Sequence, residues 1–249
     1  MKSETVFLIG SGLVGCLAII FGDFALQWQP VPEGFPARSI LAYASGVALI
    51  AASTATLFTR TRVAGATGLC ALYGVWVCLH VFRVALHLGD ASVWLGFFEI
   101  LASAAASAMV LIVATDAGSG RRSVQTIFGL CPIMFGATHF IYADFTASMV
   151  PAWLPFPLAW AWGTGAAHVL AGLAIVSGVQ ARLATGLLAL MFASFIVLLH
   201  VPRMMAEPGS RLEWTMTAIA LTLTGAALVM WPRVTEWGGK PVVSAVDAG

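Results

Sequence analysis

"LHVPR", Leu199 to Arg203, stands near the end of a long apolar run, and 120 residues earlier Leu79 to Arg83 reads "LHVFR". A polar pair written twice inside hydrophobic sequence points to an internal repeat. Around the pair, at the same offset of 120, Arg62, Ala64 and Trp94 match Arg182, Ala184 and Trp214. Nearer the N-terminus the offset slips to 121, and there Gly15, Asp23, Phe24, Pro30, Phe35 and Pro36 match Gly136, Asp144, Phe145, Pro151, Phe156 and Pro157. Apolar matches arise easily by chance in such a chain. An ordered series of Asp, Pro, Arg, His, Arg and Trp does not.

The chain carrying this repeat has 249 residues, of which 60% are hydrophobic and 9% charged. Its mean hydropathy of +0.94 is far above that of a soluble globular protein. The net charge is +1 and basic residues form no run, so nothing points to a nucleic-acid partner. Apolar stretches close to the ~20 residues needed to cross a bilayer lie near 5–22, 39–58, 63–82, 93–115, 124–142, 158–179, 183–201 and 214–231. Gly, Pro and charged segments separate them, and Asp116 to Arg122, "DAGSGRR", is the Gly/Ser-rich polar linker at the middle.

These features lead to an all-α membrane protein with eight transmembrane helices, arranged as two tandem four-helix bundles. The expected boundaries are 1–116 for the first repeat, 117–122 for the linker, 123–234 for the second repeat and 235–249 for a short tail. An even number of crossings gives the two copies parallel orientation, related by an axis along the membrane normal. Placing both termini in the cytoplasm puts Lys2, Arg60, Arg62, Arg121, Arg122, Arg182, Arg233 and Lys240 inside, against Arg38, Arg83, Arg203 and Arg211 outside. That asymmetry predicts a multi-pass protein of the cell membrane with cytoplasmic termini. The apolar run after Lys2 continues to Phe21 without a small-residue cleavage site and reads as a span rather than a signal peptide. Cys16, Cys70, Cys78 and Cys131 lie in apolar runs without C-x-x-C spacing, as packed thiols would. Trp28, Trp94, Trp153, Trp160, Trp162, Trp214, Trp231 and Trp237 cluster near span ends, as interfacial anchors do.

Imidazole and charged side chains inside spans need a partner, a cavity or a water path. The first copy holds His80, Arg83 and Glu99, and the second holds His139, His168, His200 and Arg203, all toward the outer side. The shared pairs His80/His200 and Arg83/Arg203 read most simply as a structural polar turn. His139, His168 and Glu99 have no counterpart in the other copy. Three imidazoles from neighbouring helices suit a metal ion, two suit a haem, and all three suit a hydrogen-bonded ligand. The expected ligand pocket is His139, Asp144, His168, His200 and Arg203, with His80, Arg83 and Glu99 as a secondary cluster. Pro202, absent from the first copy, removes a backbone N–H beside this pocket.

From Gly136 to Met204 the chain resembles the DoxX-like membrane proteins. Gly136, His139 and Phe140 match a G-x-x-H-F entry, Val150, Pro151, Trp153, Leu154 and Pro155 a V-P-x-W-L-P turn, and Arg182 an arginine opening the next helix. His168 stands where such relatives often carry Glu, and the lysine some carry near the end of their first helix is missing. The resemblance implies a four-helix unit and association with membrane redox processes, including a thiosulfate:quinone oxidoreductase branch. It also carries a more distant likeness to eukaryotic cargo receptors of the secretory pathway.

Three readings follow. In the first, the chain is a membrane oxidoreductase subunit meeting a redox partner protein: the three histidines bind a quinone, Arg203 stabilises developing charge and Asp144 connects to water. In the second it is a non-enzymatic binder, transporter or assembly partner holding a small molecule, metal or haem. In the third the polar residues only fix helix register. No nucleotide loop, nucleophile elbow or C-x-x-C-H haem attachment is present.

Overall fold

A computed structural model describes residues 3–236. Lys2, Trp237, Lys240 and all but the first two residues of the tail expected at 235–249 lie outside the described residues. The long helices are α1 (Thr5–Phe21), α2 (Arg38–Leu57), α3 (Arg62–Leu86), α4 (Ala91–Ala114) and α5 (Arg121–Ile141). After a short α6 (Ala143–Met149) come α7 (Pro157–Ser177), α8 (Ala181–Phe195), a π turn (Ile196–His200), α9 (Val201–Ala206) and α10 (Arg211–Met230).

Among the described residues, seven helical runs are long and apolar enough to cross a membrane: α2, α3, α4, α5, α7, the continuous Ala181–Ala206 and α10. By length and composition this is a multi-pass helical membrane protein. The remaining long helix, α1, is apolar but has only 17 residues. At 1.5 Å per residue it rises only about 25 Å, short of a ~30 Å hydrocarbon core. It stops at Gly22, whose φ of 61° is left-handed backbone that glycine adopts without steric cost.

Consecutive helices pack as neighbours. In the first half α1 meets α2, α2 meets α3 and α3 meets α4, while in the second α5 meets α7, α7 meets α8 and α8 meets α10. Two further contacts, α4 with α5 and α10 with α1, close the series into a ring, and α4 also touches α10 across its middle. Burial follows this plan. Of the most apolar stretch of α10, 67% is buried, against 28% in α2 and in α3, so α10 lies at the centre and α2 and α3 at the rim. Ile20, Phe82, Leu86, Leu170 and Leu190 are exposed, as side chains facing acyl chains would be.

Charged residues gather at the two ends of the bundle. At one end the buried Glu4 carboxylate accepts Arg62 at 2.8 Å and Arg233 at 3.5 Å. Arg233 also donates to Ser3 Oγ at 2.8 Å, which joins the two ends of the described chain. At the other end Asp23, beyond α1, accepts Arg38 Nε at 2.7 Å and Arg211 at 3.2 Å. Burial raises the Asp23 carboxyl, but the Arg38 hydrogen bond, the Phe24 amide and the charges of Arg38 and Arg211 together hold it below its ordinary 3.8. Arg211 reaches across from α10, so this carboxylate ties the two halves together.

Several sequence expectations are revised here. The segment after α5, read as a plain connection, contains α6, and α3 runs four residues past its expected end at 82. Trp28 is not an interfacial anchor: it is 4% exposed, in a 3-10 turn (Leu26–Trp28) folded over the first half. Trp153, Trp160, Trp162 and Trp231 are exposed. Trp94 and Trp214 each donate their indole N–H to the carbonyl six residues earlier, at 3.0 Å to Leu88 and 2.9 Å to Pro208. All four cysteines are free.

Candidate functional site

The closest helix crossing in the second half is made by glycines. A Cβ on Gly172 of α7 would stand 2.6 Å from the Gly129 carbonyl of α5, and one on Gly136 would collide with the Gly165 carbonyl. Without side chains at these four places the backbones meet directly, as small-residue helix pairs in membranes do. Just beyond Gly136 and Gly165 the same crossing brings His139 of α5 against His168 of α7. Their ring centroids are 4.8 Å apart, with the planes tilted by 43°.

Each imidazole is fixed by its own helix. His139 Nδ1 lies 2.7 Å from the Phe135 carbonyl and His168 Nδ1 lies 2.9 Å from the Thr164 carbonyl, both one turn back. A carbonyl can only accept, so both rings carry the proton on Nδ1. In neutral rings the Nε2 atoms are then acceptors, and neither has a hydrogen-bond partner among the described residues. Phe135, Phe192 and Phe195 surround His168 with centroids at 6.0, 5.6 and 6.1 Å. The arrangement is a pair of acceptors in an aromatic wall, His168 being buried and His139 partly open.

His200 does not join them. Its ring makes no contact with either imidazole, because α8 meets His168 through Phe192 and Phe195, one to two turns before His200. It lies instead in the π turn, where the Val201 N–H reaches back five residues to the Ile196 carbonyl. Among the described residues no group of three His, Cys, Asp or Glu side chains is placed to hold a metal ion. The expected triad of His139, His168 and His200 is thus a pair plus a separate ring. Nor does a haem fit between His139 and His168, since rings 4.8 Å apart leave no room for a macrocycle between them.

Arg203 is likewise not at the mouth of a shared pocket. Its guanidinium makes bonds of 2.8 and 3.2 Å to the carboxylate of Glu213, which is 3% exposed in the first turn of α10. Asp144 is exposed on α6 and has no hydrogen bond or ion pair among the described residues. It lines a depression of about 440 Å³ between the end of α5 and the start of α7. A second depression, of about 520 Å³, runs along α7 past Trp160, Gly163 and Thr164.

The secondary cluster does come together, around one turn of backbone. His80 Nε2 lies 3.3 Å from the Trp28 carbonyl, Arg83 donates to the Gln27 carbonyl at 3.4 Å, and the Trp28 indole donates to Glu99 at 2.5 Å. The Nδ1 atoms of His80 and His200 are both buried without a hydrogen-bond partner.

Sequence reasoning missed three things: the phenylalanine wall, the Glu213 partner of Arg203, and the ion pairs of Glu4. The wall carried a signal, because Phe135 and His139 are four residues apart and share a helix face. Glu213 follows Arg203 ten residues along the chain, across the Pro208–Gly209 turn, where no helical spacing links the two.

Comparison with known proteins gives one finding. Residues 129–201 match a family described as a domain of unknown function (DUF8561). The matched span opens at Gly129 of the glycine crossing and contains His139, His168 and His200, but stops before Arg203 and Glu213. No curated protein and no solved structure matches the chain.

Proposed function

We propose that the chain is a multi-pass membrane protein of eight crossings, built from two DoxX-like four-helix copies in parallel orientation, that binds a small hydroxyl-bearing aromatic ligand at His139 and His168. The two-copy reading is supported by the ring of helix contacts, in which each contact of the first half has a partner in the second. It is also supported by local features that recur about 120 residues apart. Trp94 and Trp214 bond in the same way, Asp90 and Ser210 cap α4 and α10, and Ala37 and Phe156 both begin a helix in left-handed backbone. In this reading α1 is a crossing despite its length, and residues 1–116 and 123–234 are the copies. The DoxX-like turn at Val150 to Pro155 then links the first two helices of the second copy.

The observation that carries the ligand reading is the pair of imidazoles with ring centroids 4.8 Å apart, whose Nδ1 atoms are committed to carbonyls and whose Nε2 atoms are left as acceptors. Acceptors select donors. A quinol offers hydroxyl protons to them, whereas a quinone offers only carbonyl oxygens, so the reduced form is the one these rings recognise. Phe135, Phe192 and Phe195 supply the apolar contact such a ring needs. A membrane oxidoreductase subunit would use the same imidazoles as proton acceptors. A non-enzymatic carrier of the ligand would use them only for binding.

Histidine-labelled protein in nanodiscs, titrated with a short-chain quinol and separately with its quinone, tests the reading through the Nε2 nitrogen resonances. Quinol should shift the Nε2 signals of His139 and His168 and leave their Nδ1 signals in place, with weaker shifts for quinone. Substituting His139→Phe should abolish the effect. Identical spectra with and without quinol would remove the ligand reading and leave the pair as a structural contact.

A further inference from the structure

The two copies place a carboxylate at matching positions and treat it differently. Asp23, after α1, is clamped by Arg38 and Arg211. Asp144, its match at offset 121, has neither, because Ala159 stands 121 beyond Arg38 and Ala91 stands 120 before Arg211. Duplication thus left the second copy with a carboxylate whose two cations have been replaced by apolar side chains. Asp144 instead lines the depression of about 440 Å³.

Aromatic rings form its wall. Phe140 and Trp162 lie against each other at 5.3 Å, and Tyr142 and Phe145 complete the lining beside Asp144. Tyr142 directs its hydroxyl out of the depression toward Asp90 at 3.5 Å. A carboxylate among aromatic rings is the chemistry that holds an organic ammonium ion, the charge meeting Asp144 and the N–CH groups meeting the ring faces. A compact, strongly hydrated metal ion would have no second carboxylate here.

We propose that this depression binds the ammonium headgroup of a membrane phospholipid, with Asp144 as counter-charge and Trp162, Phe140 and Tyr142 as the aromatic wall. A lipid is favoured over a free amine because Ile141, Phe145 and Leu158, on the same rim, are 60%, 65% and 47% exposed and give the acyl chains of the same molecule an apolar surface. The rim lies where α5 ends and α7 begins, and the ends of membrane-crossing helices fall in the interfacial layer. The site is separate from the imidazole pair and does not depend on its ligand.

Native mass spectrometry of the detergent-solubilised chain, given equal amounts of phosphatidylethanolamine, phosphatidylcholine and phosphatidylglycerol, reads the preference directly. The two ammonium lipids should be retained over phosphatidylglycerol, and Asp144→Asn should reduce that preference by about fivefold, the size of one exposed ion pair with its ring contact. Because Asp144 is exposed, this variant should fold. Asp144→Glu should keep the preference and Trp162→Leu should weaken it. Equal retention of all three lipids, or an unaltered preference in Asp144→Asn, overturns the proposal. Loss of the retained lipid to millimolar tetramethylammonium, with no effect of shortening the acyl chains, would overturn the lipid assignment in favour of a free organic cation.

Discussion

Glu213 and Arg203 form one ion pair, yet the two partners stand in different surroundings. The Glu213 side chain is 4% exposed and that of Arg203 is 43% exposed. Removing the arginine leaves a carboxylate sealed in the bundle, whereas removing the carboxylate leaves a guanidinium that can swing into the headgroup layer. Arg203→Met should therefore destabilise the protein by about 3 kcal/mol. Glu213→Gln should cost about 1 kcal/mol, near the value of a partly solvated pair. Unfolding of both variants in one detergent checks the order, and equal losses would contradict it. The sequence displayed Arg203 twice over, through the repeat, but hid its partner. The position matching Glu213 in the first copy is Val93, so comparing the copies could not reveal the pair. His139 and His168 were legible as unshared residues, while their contact depends on where α5 and α7 cross, which no periodicity within either helix records.

Helix α3 passes through its "LHVFR" without interruption, but the run from α8 to α9 widens into a π turn at "LHVPR". The sequences differ at Phe82 and Pro202. Proline has no N–H and cannot continue the i to i−4 ladder, so the chain shifts to bonds spanning five residues just before it. Pro202→Phe, which restores the first-copy residue, should turn this segment into continuous α-helix. Amide exchange at residues 197–203 should then slow about tenfold or more, as the regular ladder closes. Unchanged exchange would mean that packing against α10, rather than proline, holds the π turn. Span positions were readable because each is a long apolar run. The π turn, α6 and the 3-10 turn at Trp28 were not, since each is a few residues long and stabilised by contacts distant in sequence.

Taken whole, the bundle is fastened at both ends by carboxylates that reach between the halves. Asp23 is the one most open to a pH test. Its folded-state affinity for protons lies below the ordinary value, so it contributes stability at neutral pH, and that contribution is lost as pH falls through the folded value. The window is therefore below about pH 4. The midpoint of thermal unfolding in detergent should fall with acidification there. Asp23→Asn should lower the midpoint at pH 7 and flatten the acid dependence, whereas a variant as acid-sensitive as the parent would assign the loss to other carboxylates. The helical, multi-pass character was legible from composition and the long apolar runs alone. Which helix faces meet was not, because the α1–α10 and α4–α10 contacts involve residues that look like any other apolar helix face.

The contact between α1 and α10 has a consequence for synthesis. During translation α1 enters the bilayer before most of its partners, with α2 as its next neighbour, while the surface that α10 will cover stays open until α10 itself has been made. Glu4 must wait as long for Arg233. Gly10 lies so close to Thr222 that any side chain there would push α10 away. A nascent chain stopped before α10 would thus hold α1 unsheathed on that side and the Glu4 carboxylate short of one of its two cations. That is a form an insertion chaperone or membrane protease can tell from the finished protein.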